Sequence, residues 1–399
     1  MSPLASALRP LALYKPVLLS YKPRFHRAMS SATSPAAAAT CLASHKKIVV
    51  CTDLGPALSL LAGVETVVWP HAATQECPRE WLLQNVVGAS GLVVCFKDMV
   101  DKEVVDAAGP ELEAVTTISV GYEHIDLPLL AARNIQLGYT PDVLTDAVAD
   151  STVMLALMAS RRTNLTSALV TTNQWPSFQW TPFAFTSPQL SRVPFGHSPT
   201  VGFLGFGRIA QAVLRRLSLG FGVADAIYAS RPGSPPREAR DSAILQSLAP
   251  NLVRLRPVPL PELARDSDFL FILAPGGPET HHIVDTAFFA RMKRTAVLVN
   301  NGRGSVVSSH ALAAALREDR LWGAGLDVVD EEPHVGPDHP LLLPGVREKC
   351  VVVPHLGSAT VETRAEMARM TARNVLLGVE GQRMETAVDL SGFRLLEAK

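Results

Sequence analysis

Short, almost wholly apolar runs recur along the chain from Lys47 onward: KIVVC at 47–51, TVVW at 66–69, LVVCF at 92–96 and AVTTISV at 114–120. Their length and β-branched content predict buried strands, and the segments between them carry helical patterns. Strands of this kind alternating with helices predict a parallel sheet covered on both faces. The pattern TDAVADSTVMLALMASRR at 145–162 is too long for a strand and opens on Thr145 as a capping residue, so it predicts a helix joining two domains. The stretch 164–198 is rich in Trp, Phe, Ser and Pro without a period, which predicts an irregular arm. Strands resume at 201–204, then in DAIYA ending at Ala229, and at 269–273, 295–300, 323–329 and 350–353.

The first of these later strands runs into Gly205-Phe206-Gly207-Arg208-Ile209-Ala210, after which Val213, Leu214 and Leu217 keep helical spacing. This is G-x-G-x-x-A between a strand and a helix, the context that a dinucleotide site requires. Gly205 allows the tight turn, Gly207 lets backbone approach a pyrophosphate, and Ala210 lets the helix pack on its strand. The helix N-terminus offers free N–H groups and a positive dipole to the anion. At the end of the next strand, where NAD enzymes carry an acid for the ribose hydroxyls, the chain has Ser230 and Arg231. A hydroxyl followed by a guanidinium suits a 2′-phosphate, so the cofactor is expected to be NADP, with NAD as the alternative.

Composition narrows the possible partners. Thirty-seven basic residues balance thirty-seven acidic ones, which leaves no field suited to a nucleic-acid backbone. FLFILA at 269–274 is far short of a membrane span, so no membrane association is expected. The five cysteines have no metal-ligand spacing and are expected to be reduced, with no metal. The N-terminal extension 1–46 has many basic, Ser and Ala residues, and no acidic residue occurs before Asp53. That bias matches a transit peptide for mitochondrial import, the alternative being a basic tail on a cytoplasmic protein.

In an open α/β sheet, ligands meet the loops at the carboxyl ends of the strands. Three successive strand ends carry NNGRGS with Arg303, DVVDEEP with Asp327 and Glu332, and PHLGS with His355. An arginine, a carboxylate and a histidine beside a nucleotide motif make a candidate reducing site. His281 and His282 have no partner at ligand spacing, His124 reads as structural, and Lys97 is placed to attract an anionic substrate or simply to lie at the surface.

SVGYEHIDL, GYTPDVLTDAVAD, VGFLGFGRIAQA, VNNGRGSVV, GAGLDVVDEEP and PHLGSAT, in this order, resemble the D-isomer-specific 2-hydroxyacid dehydrogenases, most of all their glyoxylate reductase/hydroxypyruvate reductase branch. The resemblance covers everything after the N-terminal extension. It implies two Rossmann-like α/β domains: a discontinuous, flavodoxin-like substrate domain (47–143 and 360–399) and a nucleotide domain (144–359) inserted into it. It further implies NADPH-preferring reduction of glyoxylate and hydroxypyruvate, and a homodimer in which the aromatic arm is a candidate contact.

The same resemblance gives each residue a role. Arg303 binds the substrate carboxylate and polarises the ketone, His355 donates the proton, and Glu332, chosen over Glu331 because it directly precedes Pro333, hydrogen-bonds the imidazole. Val120 and Gly121 bind the carboxylate through backbone N–H groups, and Ser358 lies beside the substrate. Pro275, Thr280, Asn301, Asp327 and Gly357 lie along the cofactor with Gly205, Gly207, Arg208, Ile209, Ser230 and Arg231. Asn301 and Gly302 stand where the family more commonly has an apolar residue and Ser. Two alternatives are a dehydrogenase for another 2-oxoacid, such as 3-phosphoglycerate, and a dinucleotide-sensing corepressor on the same fold.

Overall fold

The computed structural model describes residues 46–193, 198–230 and 237–394. The basic N-terminal segment and its expected import role lie outside these residues, and so does Arg231. Among the described residues, β1 (Lys47–Val50), β2 (Glu65–Val68), β3 (Gly91–Val94), β4 (Ala114–Thr117) and β5 (Gln136–Gly138) form one parallel sheet in the order β2-β1-β3-β4-β5. A second parallel sheet has the order β12-β11-β10-β9-β6-β7-β8. Its strands are β6 (Thr200–Leu204), β7 (Asp225–Ala229), β8 (Arg254–Pro257), β9 (Phe269–Ile272), β10 (Val297–Asn300), β11 (Gly323–Leu326) and β12 (Cys350–Val352). The central strands are buried along their whole length, as two-sided coverage demands of a parallel sheet.

The first sheet has the flavodoxin-like order, and the second extends the order of a dinucleotide-binding sheet by one strand. From β6 the chain moves outward through β7 and β8, then returns to place β9 on the other side of β6. This reversal opens a crevice beyond the carboxyl ends of β6 and β9. The helix Val361–Val379 returns to the first sheet, where Met367, Ala372, Val375 and Val379 share a buried cluster with Ile48, Val93 and Ala114. The first domain is therefore completed by residues that follow the whole second sheet.

The helix Thr145–Ser160 joins the two domains. Leu144 and Val148, at its start, belong to the first domain's apolar cluster, while Leu155, Ala156 and Ala159 pack in the second. Thr145 is not its cap: Leu144 occupies that position without a side-chain bond, and the Thr145 N–H donates to the Asp142 carbonyl at 2.9 Å. The arm is also more regular than its composition implied. Leu165, Ala168 and Leu169 lie half-buried on one face of a helix, Thr163–Thr171, and Asn164 secures it by donating to the Cys350 carbonyl at 2.8 Å. Irregular chain follows, apart from a short turn at Trp175–Ser177.

The joining helix approaches β11 closely because β11 carries glycines. A Cβ at Gly325 would stand 2.8 Å from the Leu155 carbonyl oxygen and 2.9 Å from the Leu155 Cβ. Neither atom can swing away, since one is backbone and the other is fixed to it. Gly325→Ala is therefore expected to destabilise the protein by about 1–3 kcal/mol, the usual cost of overpacking. Urea unfolding measures this, and an unchanged midpoint would show that the contact is looser than described.

Candidate active site

The nucleotide turn is built as its motif requires. Gly205 has φ +83°, and a Cβ there would come within 2.7 Å of the Ala274 backbone, so the β6 and β9 loops touch through it. Gly207 begins the helix Arg208–Phe221 in extended backbone, and the space where its Cβ would lie is open. Ala210 is buried against the sheet. The Arg208 guanidinium pairs with Asp142 at 2.7 Å. Ser230 is exposed at the end of β7. Pro275 is exposed after β9, its carbonyl accepting from Thr280 Oγ1 at 2.9 Å, while the next three residues, Gly276 to Pro278, face a cavity of about 600 Å³.

Arg303, Glu332 and His355 meet at that cavity, with Val120, Gly121, Ile209, Asn301, Asp327, Gly357 and Ser358 also on its walls. Asn300, the last residue of β10, shapes the arginine loop: its Nδ2 donates to the Arg303 carbonyl at 3.0 Å and its Oδ1 accepts the Gly302 N–H at 3.0 Å. Gly304 then lies against the backbone of Val329 and Asp330, where any Cβ would overlap, so the loops after β10 and β11 are drawn together.

The loop after β12 is held by Asp327. Its carboxylate accepts the N–H groups of Leu356 at 2.6 Å and Gly357 at 2.9 Å, and its carbonyl accepts that of His355 at 2.8 Å. These bonds keep His355 at φ +55°, a costly conformation for a residue with a Cβ. Burial pushes the Asp327 carboxyl above its ordinary pKa, and the two N–H donors oppose that shift. The imidazole Nδ1–H donates to Glu332 Oε1 at 3.1 Å, which leaves Nε2 for a ligand. Glu331 turns the other way, to Ser309 at 2.7 Å and His339 at 3.1 Å.

The first domain contributes the turn Ser119–Gly121. His124 Nε2, Thr117 Oγ1 and Ser119 Oγ form a chain with separations of 3.1 and 2.7 Å, and Ser119 donates onward to the Gly121 carbonyl at 2.6 Å. Burial pushes His124 down to about 4, which favours the neutral imidazole. The N–H groups of Val120 and Gly121 meet no acceptor among the described residues. The charged and aromatic wall residues absent from the sequence reading number three. Phe96 packs on the His355 ring with centroids 4.9 Å apart, Glu123 pairs with Arg303, and Arg364 reaches in from the first turn of the C-terminal helix. A carboxylate two residues after the Ser119–Gly121 turn was the available signal for Glu123. Nothing local in the sequence marks Phe96 or Arg364.

Lys97 is bonded to Glu76 and lines a second cavity of about 1020 Å³, which shares Phe96, Glu332 and His355 with the first. One expectation needs correction. His281 and His282 do have company: their ligand atoms lie within 4.8 Å of one another and of Asp330, and His282 Nε2 sits 2.6 Å from Asp330 Oδ2. Their rings are stacked at 4.0 Å, with planes 28° apart. The sequence hid this grouping because Asp330 lies on another loop.

The residues present fit a nicotinamide dinucleotide. The open space above Gly207 leaves room for a phosphate, and Asn301 Oδ1, buried on the cavity wall, has no hydrogen-bond partner and so awaits a donor such as a carboxamide.

Residues 153–357 match the family model described as D-isomer specific 2-hydroxyacid dehydrogenase, NAD binding domain. The chain is 38% identical over 334 residues to the mouse protein named glyoxylate reductase/hydroxypyruvate reductase, covering 84% of this chain and 94% of that one. The human protein of the same name is 37% identical over the same shares. In three dimensions the chain is similar to an NADPH-dependent glyoxylate/hydroxypyruvate reductase from Sinorhizobium meliloti, solved with NADP and malonate. That similarity has a TM-score of 0.70 at 30% identity, covering 88% of this chain and 99% of the other. A protein from Thermus thermophilus gives a TM-score of 0.72 at 34% identity, covering 86% of this chain and 100% of the other.

The loop that carries Phe96 is closed by Asp98, whose Oδ2 accepts the Cys95 N–H at 2.7 Å. Burial pushes this carboxyl up to about 6, whereas in the unfolded chain it titrates near 4. Between those values the folded protein keeps a proton that the unfolded chain has lost, so this group's contribution falls as pH rises from about 4 to about 6. Relative to Asp98→Asn, the wild type should lose on the order of 2–3 kcal/mol across that window. Denaturant titrations of both proteins at several pH values test this, and a constant difference between them would contradict it.

Proposed function

Because the chain belongs to the D-isomer specific 2-hydroxyacid dehydrogenases, a family of NAD(P)-dependent oxidoreductases, we propose that it reduces glyoxylate to glycolate and hydroxypyruvate to D-glycerate, with NADPH preferred to NADH. The observation that carries this reading is the meeting of Arg303, the Glu332–His355 pair and the unbonded N–H groups of Val120 and Gly121 at one cavity. The names of the relatives support the substrates, and the NADP-bound neighbour supports the cofactor. Ser230 supports NADPH too, since it replaces the acid that would repel a 2′-phosphate.

In this reading Arg303 holds the substrate carboxylate with a planar, permanently charged donor set, and the N–H groups of Val120 and Gly121 hold it from the other domain. The guanidinium also polarises the adjacent carbonyl. His355 gives its Nε2 proton to the carbonyl oxygen, and Glu332 holds the ring so that Nε2 faces that oxygen. When bound, the nicotinamide supplies the hydride that the carbonyl carbon receives. In the reverse direction His355 takes the hydroxyl proton. Gly205, Gly207 and the start of the Arg208 helix receive the pyrophosphate, Ser230 and Arg231 the 2′-phosphate, and Asn301 a carboxamide N–H.

A cavity of about 600 Å³ suits a small acid together with part of a dinucleotide. A homodimer belongs to the same proposal, its contact on the arm where Trp175, Trp180 and Phe183 are exposed. The basic N-terminal segment is read as a mitochondrial import signal.

Purified full-length protein assayed with NADPH or NADH against glyoxylate, hydroxypyruvate, pyruvate and longer 2-oxoacids tests the reading. The first two acids with NADPH are expected to turn over fastest, and turnover of none of them would overturn the proposal. His355→Ala should lower kcat about 10²- to 10⁴-fold while NADPH affinity stays the same. Unchanged kcat would remove His355 as the proton donor.

A further inference from the structure

Arg303 is already engaged with a carboxylate of its own chain. Its Nε lies 3.2 Å from Glu123 Oε1 and its Nη2 lies 3.3 Å from Glu123 Oε2. A third donor, Nη1, is turned to the Gly302 carbonyl at 2.9 Å. The Nε–Nη2 edge of the guanidinium is therefore taken.

The position of the pair is as informative as its distances. A Cβ at Gly121 would overlap both Arg303 Nη2 and Glu123 Oε2, so guanidinium and carboxylate both lie against the Gly121 backbone. The N–H groups of Val120 and Gly121 beside them are unbonded among the described residues. One negative group in this place could face Arg303 from the nucleotide domain and the Val120–Gly121 turn from the other domain. The function proposed above assigns that place to the substrate carboxylate. Two carboxylates cannot share it without strong repulsion.

We propose that Glu123 is an internal competitor for the substrate carboxylate: it occupies Arg303 in the ligand-free enzyme, and a 2-oxoacid binds by displacing it. This inference rests on the functional reading of the cavity. Displacement is cheap because the Glu123 side chain is 46% exposed and passes into water without desolvation. The exchange keeps the domains bridged, since Glu123 and Arg303 come from opposite sides of the cleft and the incoming carboxylate takes over the same span. It also makes Glu123 a specificity residue. A neutral aldehyde or ketone has no charge with which to break the pair, so carbonyl compounds without a carboxylate leave Arg303 occupied.

Glu123→Gln tests the proposal with two readouts on the full chain. Calorimetric titration with oxalate, in the presence of NADPH, measures the anion seat without turnover. Steady-state assay with glyoxylate gives KM and kcat. If Glu123 competes, the oxalate Kd and the KM both fall, by up to about fivefold as suits an exposed ion pair, and kcat is retained. Glu123→Asp, one methylene shorter, keeps the charge but not the reach, and should fall between the two.

Weaker oxalate binding with a lower kcat in Glu123→Gln would mean that Glu123 supports Arg303 instead of opposing the substrate, and unchanged Kd would mean that it does neither. Either result overturns the proposal. Wild-type protein that turns over no 2-oxoacid defeats the functional reading, while the oxalate titration still decides the role of Glu123.

Discussion

A buried carboxylate at the end of β11 is the constraint on which the candidate site depends. Asp327 is almost inaccessible to water, so its two acceptor oxygens must be satisfied by the protein, and the backbone of Leu356 and Gly357 satisfies them. The chain leaving β12 is thereby bent back onto β11, and His355 is held in a left-handed conformation that it would not adopt alone. The imidazole then reaches Glu332, which itself sits on the loop leaving β11. One buried acid thus sets the position of a histidine without touching its side chain. It is better understood as the fixture of the site than as one more contact along a cofactor.

The same economy governs Arg303. Asn300 clips the turn that carries it, and Gly304 lets that turn lie against the loop of Val329 and Asp330. Parallel strands deliver these loops to one edge of the sheet because their carboxyl ends all point the same way. The opposing domain supplies the unbonded N–H groups of Val120 and Gly121, the Phe96 ring against His355 and the Glu123 carboxylate on Arg303. Charge in the cleft is therefore arranged before any ligand arrives.

The strands were legible in the sequence wherever burial on both faces made the run continuously apolar, as in VVV or FLFI. β5 and β8 were not, and the reason is local. QLG offers a single large apolar residue, and RLRP is an edge strand with exposed arginines and a proline. The glycine turn was legible because its residues act through neighbours in sequence. Arg303, Glu332 and His355 could be grouped because adjacent parallel strands bring their ends together. The step from Glu332 into Pro333 singled out Glu332 over Glu331, and the loop turns Glu331 to Ser309 and Glu332 to His355. Phe96, Glu123 and Arg364 belong to the first domain, and their place in the site is set by how two domains pack; of the three, Glu123 alone had a local signal, its spacing from the Ser119–Gly121 turn.

The account's central claim is that a carboxylate seat on Arg303 and Val120–Gly121 faces the proton-bearing edge of His355. The most direct measurement is a crystal structure of the full chain with NADPH and oxalate. The account predicts one oxalate carboxylate within about 3 Å of the Arg303 guanidinium and of the two backbone N–H groups, Glu123 turned out to solvent, and His355 Nε2 facing the other end of the anion. Oxalate bound elsewhere, with Glu123 still on Arg303 and Nε2 turned away from the cavity, would contradict it.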